Sequence, residues 1–292
     1  MHEQSTHIST NCRDDFNRRV SVNSRGFRFA AYARYGLKMT YDSLKDTAES
    51  LDAARKAIRM EKIMAGEINP IVREVTIGDC RLIQGDSEEV LETIHGYDAI
   101  LSDPPYGIEG SWEGGNSHGW GKFRGQAKKW DIRPEWFGVF VAGNKIPSIV
   151  WGGQYFSALP ASGSWLIWDK IQRGVSFGEA ELAWTNLGKP IRAFNFGAAA
   201  IIAENKQHPT QKPIPLMKWC LGFLPDAKTI LDPFMGSGTT LVACAKMGRS
   251  GIGIELDPDY FDIACERVRK AYEQPDFFVA SPEPKPVQEE LL

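Results

Sequence analysis

Cysteine is scarce in this chain, and long apolar runs are missing. The five cysteines are scattered, and no two of them form the C-x-x-C pair that zinc sites and redox motifs use. A zinc site and a disulfide framework are therefore disfavoured, and we expect no metal and a reducing, cytoplasmic compartment. No apolar stretch is long enough to cross a bilayer, and the first residues lack the apolar core of a secretory signal. We therefore expect no membrane partner.

An excess of basic charge is also missing. Lysine and arginine number 34 and aspartate and glutamate 37, so the formal net charge is -3. The chain as a whole is therefore not a basic nucleic-acid binder, and any surface that contacts nucleic acid must be local. Its 292 residues are enough for a sizeable core, in one large domain or two modest ones.

The most informative stretch is a short turn that follows an apolar segment. The run 99–101 is apolar, as a buried strand would be, and it leads into Asp103, Pro104, Pro105 and Tyr106. The two prolines remove two backbone donors, which leaves nearby carbonyl oxygens without competing N–H groups. A carboxylate, carbonyl oxygens and an aromatic ring favour a receptor for a flat molecule with an amino group. The alternative is an ordinary strand and proline turn, because four-residue motifs recur by chance.

A second strong pattern lies near the carboxyl end of the chain. A predicted strand, 229–231, is followed by a glycine-rich turn, 232–239, and by a predicted helix, 240–247. The next strand ends at Glu255, about 20 positions after the turn, as in the nucleoside-binding half of a doubly wound sheet. Glu255 is placed to accept hydrogen bonds from both ribose hydroxyls. Because the turn lacks G-x-G-x-x-G and G-K-[ST], a dinucleotide and a P-loop are disfavoured.

A third turn contains Asp86, between a predicted strand, 81–84, and the start of a helix, 88–92. This strand and helix, with the strand before Asp103, form a predicted β-α-β unit. Turns of this kind hold ligand contacts in α/β proteins. As a plain N-cap of the helix, Asp86 would be equally satisfied, so both interpretations stay open.

The stretch 107–130 is rich in glycine, cations and tryptophan. So many glycines disfavour a regular element, and we expect a mobile loop beside the Asp103 turn. Cations and indoles together favour a lid or a clamp on a phosphate backbone, with an ordinary surface loop as the alternative. The candidate DNA contacts are Lys122, Arg124, Lys128 and Lys129.

The sequence pattern divides the chain into four parts. These are an irregular basic and aromatic arm, 1–39, a helical extension, 40–70, a catalytic α/β domain, 71–275, and a flexible tail, 276–292. The extension is predicted to form a helix from Asp42 to about Ala65. In the domain we expect a doubly wound, mainly parallel sheet with helices on both faces.

Further elements of this domain are predicted from apolar runs and their flanking residues. Two of the strands, 179–184 and 191–194, are expected as a pair, with a hairpin as one arrangement. The other predicted elements are strands at 148–151 and 165–168, a loop at 208–213 and a helix at 216–224.

Three motifs together resemble a known family. In chain order, D-P-P-Y-G, H-P-T-Q-K-P and D-P-F-x-G-S-G-T look like DNA amino-methyltransferases that use S-adenosylmethionine. The motif for the target base precedes the motif for the cofactor, as in the permuted beta group. The stretches G-E-A-E-L-A-W-T-N and H-P-T-Q-K-P-I-P-L-M further resemble small phage and prophage N6-adenine enzymes. The resemblance covers about residues 74–272 and implies a Rossmann-like methyltransferase fold with circularly permuted motif order.

The resemblance also implies a role for each matching position. In the catalytic set, Asp103 and a carbonyl near Pro104 accept hydrogen bonds from the target amino group, and Tyr106 stacks on the base. Glu255 holds the ribose and Asp86 the adenine amino group of the cofactor. The remaining implied cofactor contacts are Thr210 and Lys212 at the methionine carboxylate, Asp232 near its amine, and the turn residues Pro233, Phe234, Gly236, Ser237, Gly238 and Thr239.

Three functions stay open on these residues. The first is N6-adenine methylation of DNA by base flipping and direct in-line transfer. The second is N4-cytosine methylation by the same geometry, although relatives of that type more often carry serine where Asp103 stands. The third is a protein that binds DNA or cofactor without turnover. The region 192–207 is short for a target-recognition domain, so we expect a short or relaxed recognition sequence. Homodimers occur in the family, but no surface in this sequence decides the oligomeric state.

Overall fold

The computed structural model describes residues 48–108, 132–174, 178–197 and 211–273, with side chains from residue 53 onward. The N-terminal arm 1–39, the tail 276–292 and most of the stretch 107–130 lie outside these residues. Among the described helices, none is long and apolar enough to cross a membrane.

A single mixed sheet of nine strands organises the described residues. All strands run in one direction except β1 and β6, which are antiparallel to their neighbours. Across the sheet the strands are β1 (Arg73–Ile77), β2 (Cys80–Gln84), β9 (Ser250–Glu255), β8 (Thr229–Asp232), β3 (Ala99–Ser102), β4 (Ser148–Trp151), β6 (Ala180–Thr185), β5 (Trp165–Asp169) and β7 (Arg192–Asn195).

Helices cover both faces of this sheet. The described helices are α1 (Ala48–Met64), α2 (Ser87–Val90), α3 (Glu135–Gly143), α4 (Ile214–Leu221), α5 (Thr239–Lys246) and α6 (Pro258–Glu273). Short 3-10 turns at Leu91–Thr93 and Gly153–Tyr155 complete the described helical structure.

The central strands are buried on both faces, which explains their continuous apolar sequence. In β3, Leu101 packs in a cluster with α4, α5 and α6, whereas Ile100 packs in a second cluster with α2 and α3. Ile230 and Leu231 of β8 divide between the same two clusters. The predicted doubly wound α/β architecture is therefore confirmed.

The helical extension packs on the body of the protein beside α2. Met60 and Ile63 on α1 are buried. Lys56 forms an ion pair of 2.6 Å with Glu88, and Arg59 forms one of 2.6 Å with Glu89. The predicted helix is thus present from Ala48 to Met64 in the described residues, and its polar contacts lie next to the turn of Asp86.

Some sequence expectations were wrong or incomplete. The pair 179–184 and 191–194 is not a hairpin, because β5 lies between β6 and β7 and pairs with both. The predicted helix 216–224 begins earlier, at Ile214, and ends at Leu221. Two helices, α3 and α6, had no prediction.

Candidate functional site

The predicted turns meet at one edge of the sheet. Strands β2, β9, β8, β3 and β4 are mutually parallel, so their carboxyl ends lie together. The residues that end or follow these strands are Asp86, Glu255, Asp232, Asp103 and Gly152. Residues from distant parts of the sequence are thereby collected along one crevice.

Asp103 has two close partners at this edge. The Tyr106 hydroxyl donates to Asp103 Oδ1 at 2.5 Å, and the Lys212 ammonium donates to Oδ2 at 2.7 Å. Lys212 Nζ also lies 3.2 Å from the Tyr106 hydroxyl oxygen. Burial raises the pKa of Asp103, and the Lys212 charge opposes that rise. Burial and the Asp103 charge raise the pKa of Tyr106 well above its usual value, so the phenol keeps its proton.

The ring of Tyr106 is held by two neighbours. It stacks on Tyr155 with centroids 5.2 Å apart and an interplanar angle of 29°. Its edge lies directly on the backbone of Gly152, where any Cβ would overlap the ring. Gly152 has a φ of 66°, which also favours glycine. Gly152 directly follows the predicted strand 148–151, and its contact with Tyr106 arises from the pairing of β3 with β4.

Asp232 is buried at the start of the glycine turn. Its Oδ1 accepts hydrogen bonds from the Ser102 hydroxyl at 2.8 Å and from the Phe234 amide at 3.1 Å. Its Oδ2 accepts one from the Thr240 hydroxyl at 2.6 Å. Burial raises its pKa to about 6 despite these donors. The bond from Ser102 joins the two predicted turns directly, although Ser102 and Asp232 are 130 positions apart.

The turn after Asp232 contains two residues with a positive φ, a backbone conformation that favours glycine. Gly236 has a φ of 52° and Gly238 one of 80°. The Gly236 amide donates to Glu255 Oε2 at 2.9 Å, and the Asp257 amide donates to Oε1 at 2.8 Å. Burial raises the pKa of Glu255 to about 7. The turn of β8 and the end of β9 are therefore joined through one carboxylate.

Asp86 lies beside Glu255 at this edge. The Gly85 amide donates to the backbone carbonyl of Glu255 at 3.0 Å. Asp86 Oδ1 accepts a hydrogen bond from the Glu88 amide at 2.9 Å, so Asp86 is the N-cap of α2. The N-cap interpretation is thus confirmed, and the ligand contact stays a prediction.

Two further residues support the glycine turn, and neither was predicted to do so. Arg267 on α6 donates to the Ser237 carbonyl at 2.5 Å, to the Ser237 hydroxyl at 2.7 Å and to Thr239 Oγ1 at 3.1 Å. Gln211 Oε1 accepts a hydrogen bond from the Ser237 hydroxyl at 3.2 Å. Gln211 belongs to the H-P-T-Q-K-P motif, whereas no local sequence signal marks Arg267.

A small cavity lies between the Asp103 turn and the glycine turn. Its volume is about 40 Å³, and it is partly open to solvent. Its lining residues are Asp103, Gln211, Lys212, Met217, Asp232, Phe234, Met235, Gly236, Ser237, Thr239 and Thr240. The two sequence motifs therefore face one shared space.

Several predicted site residues lie outside the described part of the chain. These are Thr210, Lys122, Arg124, Lys128 and Lys129. Pro233 is described, and its carbonyl accepts a hydrogen bond from the Ser87 hydroxyl. Among the described residues, no group of three His, Cys, Asp or Glu side chains is arranged to hold a metal ion.

This geometry can now be set beside known proteins. Residues 165–266 match the DNA methylase family of N6 and N4 methyltransferases. The matched residues extend from β5 into α6 and include the glycine turn, Glu255 and Lys212.

Two bacterial relatives share shorter stretches with this chain. Type II methyltransferase M.HpaI of Haemophilus parainfluenzae is 44% identical over 66 residues, which cover 22% of this chain and 21% of that protein. Type II methyltransferase M.ScaI of Streptomyces caespitosus is 41% identical over 73 residues, which cover 25% of this chain and 24% of that protein. The similarity thus spans less than a quarter of the length of either relative.

Two solved structures have a similar chain course. The complex of M1.HpyAVI with SAM is 21% identical, with a TM-score of 0.44, and the match covers 65% of this chain and 98% of that one. The PvuII DNA methyltransferase, described as cytosine-N4-specific, is 15% identical, with a TM-score of 0.43, and the match covers 70% and 95% of the two chains.

Proposed function

We propose that this chain is a DNA methyltransferase that transfers a methyl group from S-adenosylmethionine to the N6 amino group of adenine. The observation that carries the proposal is the shared cavity, which has Asp103 on one side and the glycine turn on the other. The match to the DNA methylase family supports the same chemistry, since the matched residues include the glycine turn and Lys212.

The residues around the glycine turn fit the methyl donor. S-adenosylmethionine, when bound, supplies an electrophilic methyl group on a sulfonium. Glu255 ends β9 with a carboxylate able to accept from ribose hydroxyls, and the exposed Asp86 lies next to it. Asp232 lines the cavity, and its buried carboxylate would hold the methionine amine. In this proposal Phe234 and the backbone of Gly236 to Thr239 wrap the donor, and Thr210 and Lys212 bind its carboxylate.

The Asp103 turn fits the target base. Both hydrogens of an exocyclic amine need acceptors, and Asp103 with a carbonyl near Pro104 supplies them. The nitrogen lone pair is delocalised into the ring in a free base. Hydrogen bonds to the amine favour a pyramidal nitrogen with a localised lone pair, and the gain in rate comes from orientation and electrostatics. Tyr106 stacks on the base, which must leave the duplex to reach this depth.

Adenine is favoured over cytosine by one residue. Asp103 occupies the position where N4-cytosine enzymes of similar sequence more often carry serine. The fold and the cavity suit both amines, so this preference rests on Asp103 alone.

A labelled-methyl assay tests the proposal. The purified chain is incubated with methyl-labelled S-adenosylmethionine and with oligonucleotides of all sequence contexts, and the nucleosides are separated. We expect label in N6-methyladenine, over a short or relaxed set of sequences. Label in N4-methylcytosine would show that the target is cytosine and not adenine. The absence of label in DNA, under conditions where S-adenosylmethionine binds, would contradict the proposal.

A further inference from the structure

Four side chains of alternating charge extend from the candidate site along the same edge of the sheet. Lys212 Nζ lies 2.7 Å from Asp103 Oδ2 and 2.9 Å from Glu181 Oε2. The other oxygen of Glu181 lies 2.7 Å from Lys170 Nζ. We call Asp103, Lys212, Glu181 and Lys170 the charge row. Glu181 is the second residue of β6 and Lys170 follows β5, so strands outside the donor-binding half supply the far end of the charge row.

Lys212 depends on both carboxylates for its charge. The residue is buried, and burial works against the ammonium form, but Asp103 and Glu181 outweigh it and raise the pKa of Lys212. A buried ammonium without a close carboxylate is costly. Lys212 can therefore withdraw from Asp103 only if another carboxylate holds it, and Glu181 is already within ion-pair distance.

The proposed reaction needs that withdrawal. Asp103 accepts from Tyr106 and from Lys212 in this structure, yet it must accept from the target amine during transfer. A carboxylate that neutralises a close ammonium is a weaker acceptor for a neutral amine. Lys212 donates a hydrogen bond to Asp103 Oδ2 at 2.7 Å and forms an ion pair with Glu181 Oε2 at 2.9 Å, so a small shift can transfer its hydrogen bond from Asp103 to Glu181.

Lys170 keeps Glu181 ionised and in position to hold Lys212. Burial opposes ionisation of Glu181, but Lys212 and Lys170 outweigh it and lower its pKa to about 2. Lys170 is itself held over the ring of Trp168, with its ammonium 5.2 Å from the ring centroid. Glu181 therefore stays a carboxylate at neutral pH, and Lys170 fixes its position.

We infer that Glu181 is a positioning residue that holds Lys212 and so leaves Asp103 available to accept the target amine. The inference rests on the proposed function, because it assigns Asp103 to an amino group. It adds a role for β5 and β6, to which the three sequence motifs assigned none.

The titration of Asp103 tests the charge row without any assay of activity. The charged and titratable groups that face Asp103 are Lys212, Glu181, Tyr106 and Asp232. In Glu181→Gln a negative neighbour is lost and Lys212 turns fully to Asp103, so the pKa of Asp103 falls. In Lys170→Gln a positive charge is lost and Glu181 draws Lys212 away, so the pKa of Asp103 rises. Carbon-13 NMR of the aspartate carboxyls in the full chain measures both shifts.

The matched control is Glu179→Gln, which removes the same charge from an exposed position before β6. Glu179 has an ion pair of 3.7 Å with Arg173 and none with the charge row. We expect the titration of Asp103 to be unchanged in this variant. Loss of structure cannot explain opposite shifts in Glu181→Gln and Lys170→Gln.

Single-turnover methyl transfer then tests the positioning role. We expect Glu181→Gln to lower the plateau rate about tenfold, because the target amine is less well oriented, and to move the acid limb of the pH profile to lower pH. Lys170→Gln moves that limb to higher pH. An Asp103 titration that does not move in either variant overturns the inference. If the wild type transfers no methyl group while the titrations move as expected, the proposed function fails, and the positioning role fails with it, but the charge row stands.

Discussion

The two turns that share the cavity are held in different ways. The Asp103 turn is held by the charged side chain of Lys212, the aromatic ring of Tyr155 and the backbone of Gly152. The glycine turn is held by hydrogen bonds to the carboxylates of Asp232 and Glu255, with Gly238 packed against α6. The half for the target base is therefore held by an ion pair and ring packing, and the half for the donor by hydrogen bonds and backbone shape. Substitutions should separate these halves.

The largest expected effect is that of Asp103→Ala. The substitution removes the acceptor for the target amine, and we expect the transfer rate to fall by about a hundredfold or more. Binding of S-adenosylmethionine should stay nearly intact, since the glycine turn keeps its own contacts. Calorimetry and a transfer assay measure the two quantities. The control is Asp226→Ala, which removes an exposed carboxylate. Full activity in Asp103→Ala would show that Asp103 is not the acceptor for the target amine.

Gly152→Ala should also act on the base half. The added methyl group overlaps the Tyr106 ring, and the positive φ adds strain of about 1 to 3 kcal/mol. We expect the transfer rate to fall about tenfold or more with little change in donor affinity. Gly188→Ala has a similar φ of 62° but open space around it, so it controls for strain alone. Equal losses in the two variants would argue against the Tyr106 contact.

The donor half predicts an unusual dependence of stability on pH. Burial raises the pKa of Asp232 from 3.8 to about 6 and that of Glu255 from 4.5 to about 7. The folded chain therefore binds these protons more tightly than the unfolded chain does, and their contribution to the free energy of unfolding decreases as pH rises from about 4 to 7. Urea unfolding across this range should show a shallower decline in Asp232→Asn. An unchanged slope would contradict the assignment.

The smallest expected effect is that of Arg267→Met. The substitution removes the hydrogen bonds of Arg267 to Ser237 and Thr239, so the glycine turn becomes less rigid. It removes no residue that is proposed to contact S-adenosylmethionine. We expect the Kd for S-adenosylmethionine to rise about fivefold, equivalent to about 1 kcal/mol, with the rate at saturation unchanged. The control is Arg269→Met, which removes an exposed arginine from the same helix. A lower saturated rate would show that the two halves are not separable.

Sequence reasoning located the turns because each motif is contiguous. Asp103 and Tyr106 lie three positions apart, and the glycine turn lies directly between a strand and a helix. Gly152 and Glu181 were missed as site residues since their contacts arise when β4 and β6 pair beside β3. The pairing of β5 with both β6 and β7 is likewise decided by tertiary structure, and the local sequence pattern does not predict it.

The helix α6 had a local signal that could have found it. Asp257 Oδ1 accepts from the amides of Asp259 and Tyr260, as an N-cap side chain does. Phe261, Ala264 and Val268 then follow at helical spacing and are buried. The role of Arg267 on this helix depends on the docking of α6 and could not be read from its neighbours.

The central claim is that both turns line one site. It is tested most directly by following the carboxyls of Asp232 and Asp103 while S-adenosylmethionine binds. S-adenosylmethionine is titrated into the chain with carbon-13 at its aspartate carboxyls, and the signals of Asp232 and Asp103 are followed. If both turns line one site, the two signals move along a single binding curve. A donor that shifts neither signal, or shifts Asp232 and leaves Asp103 unchanged, contradicts the shared site.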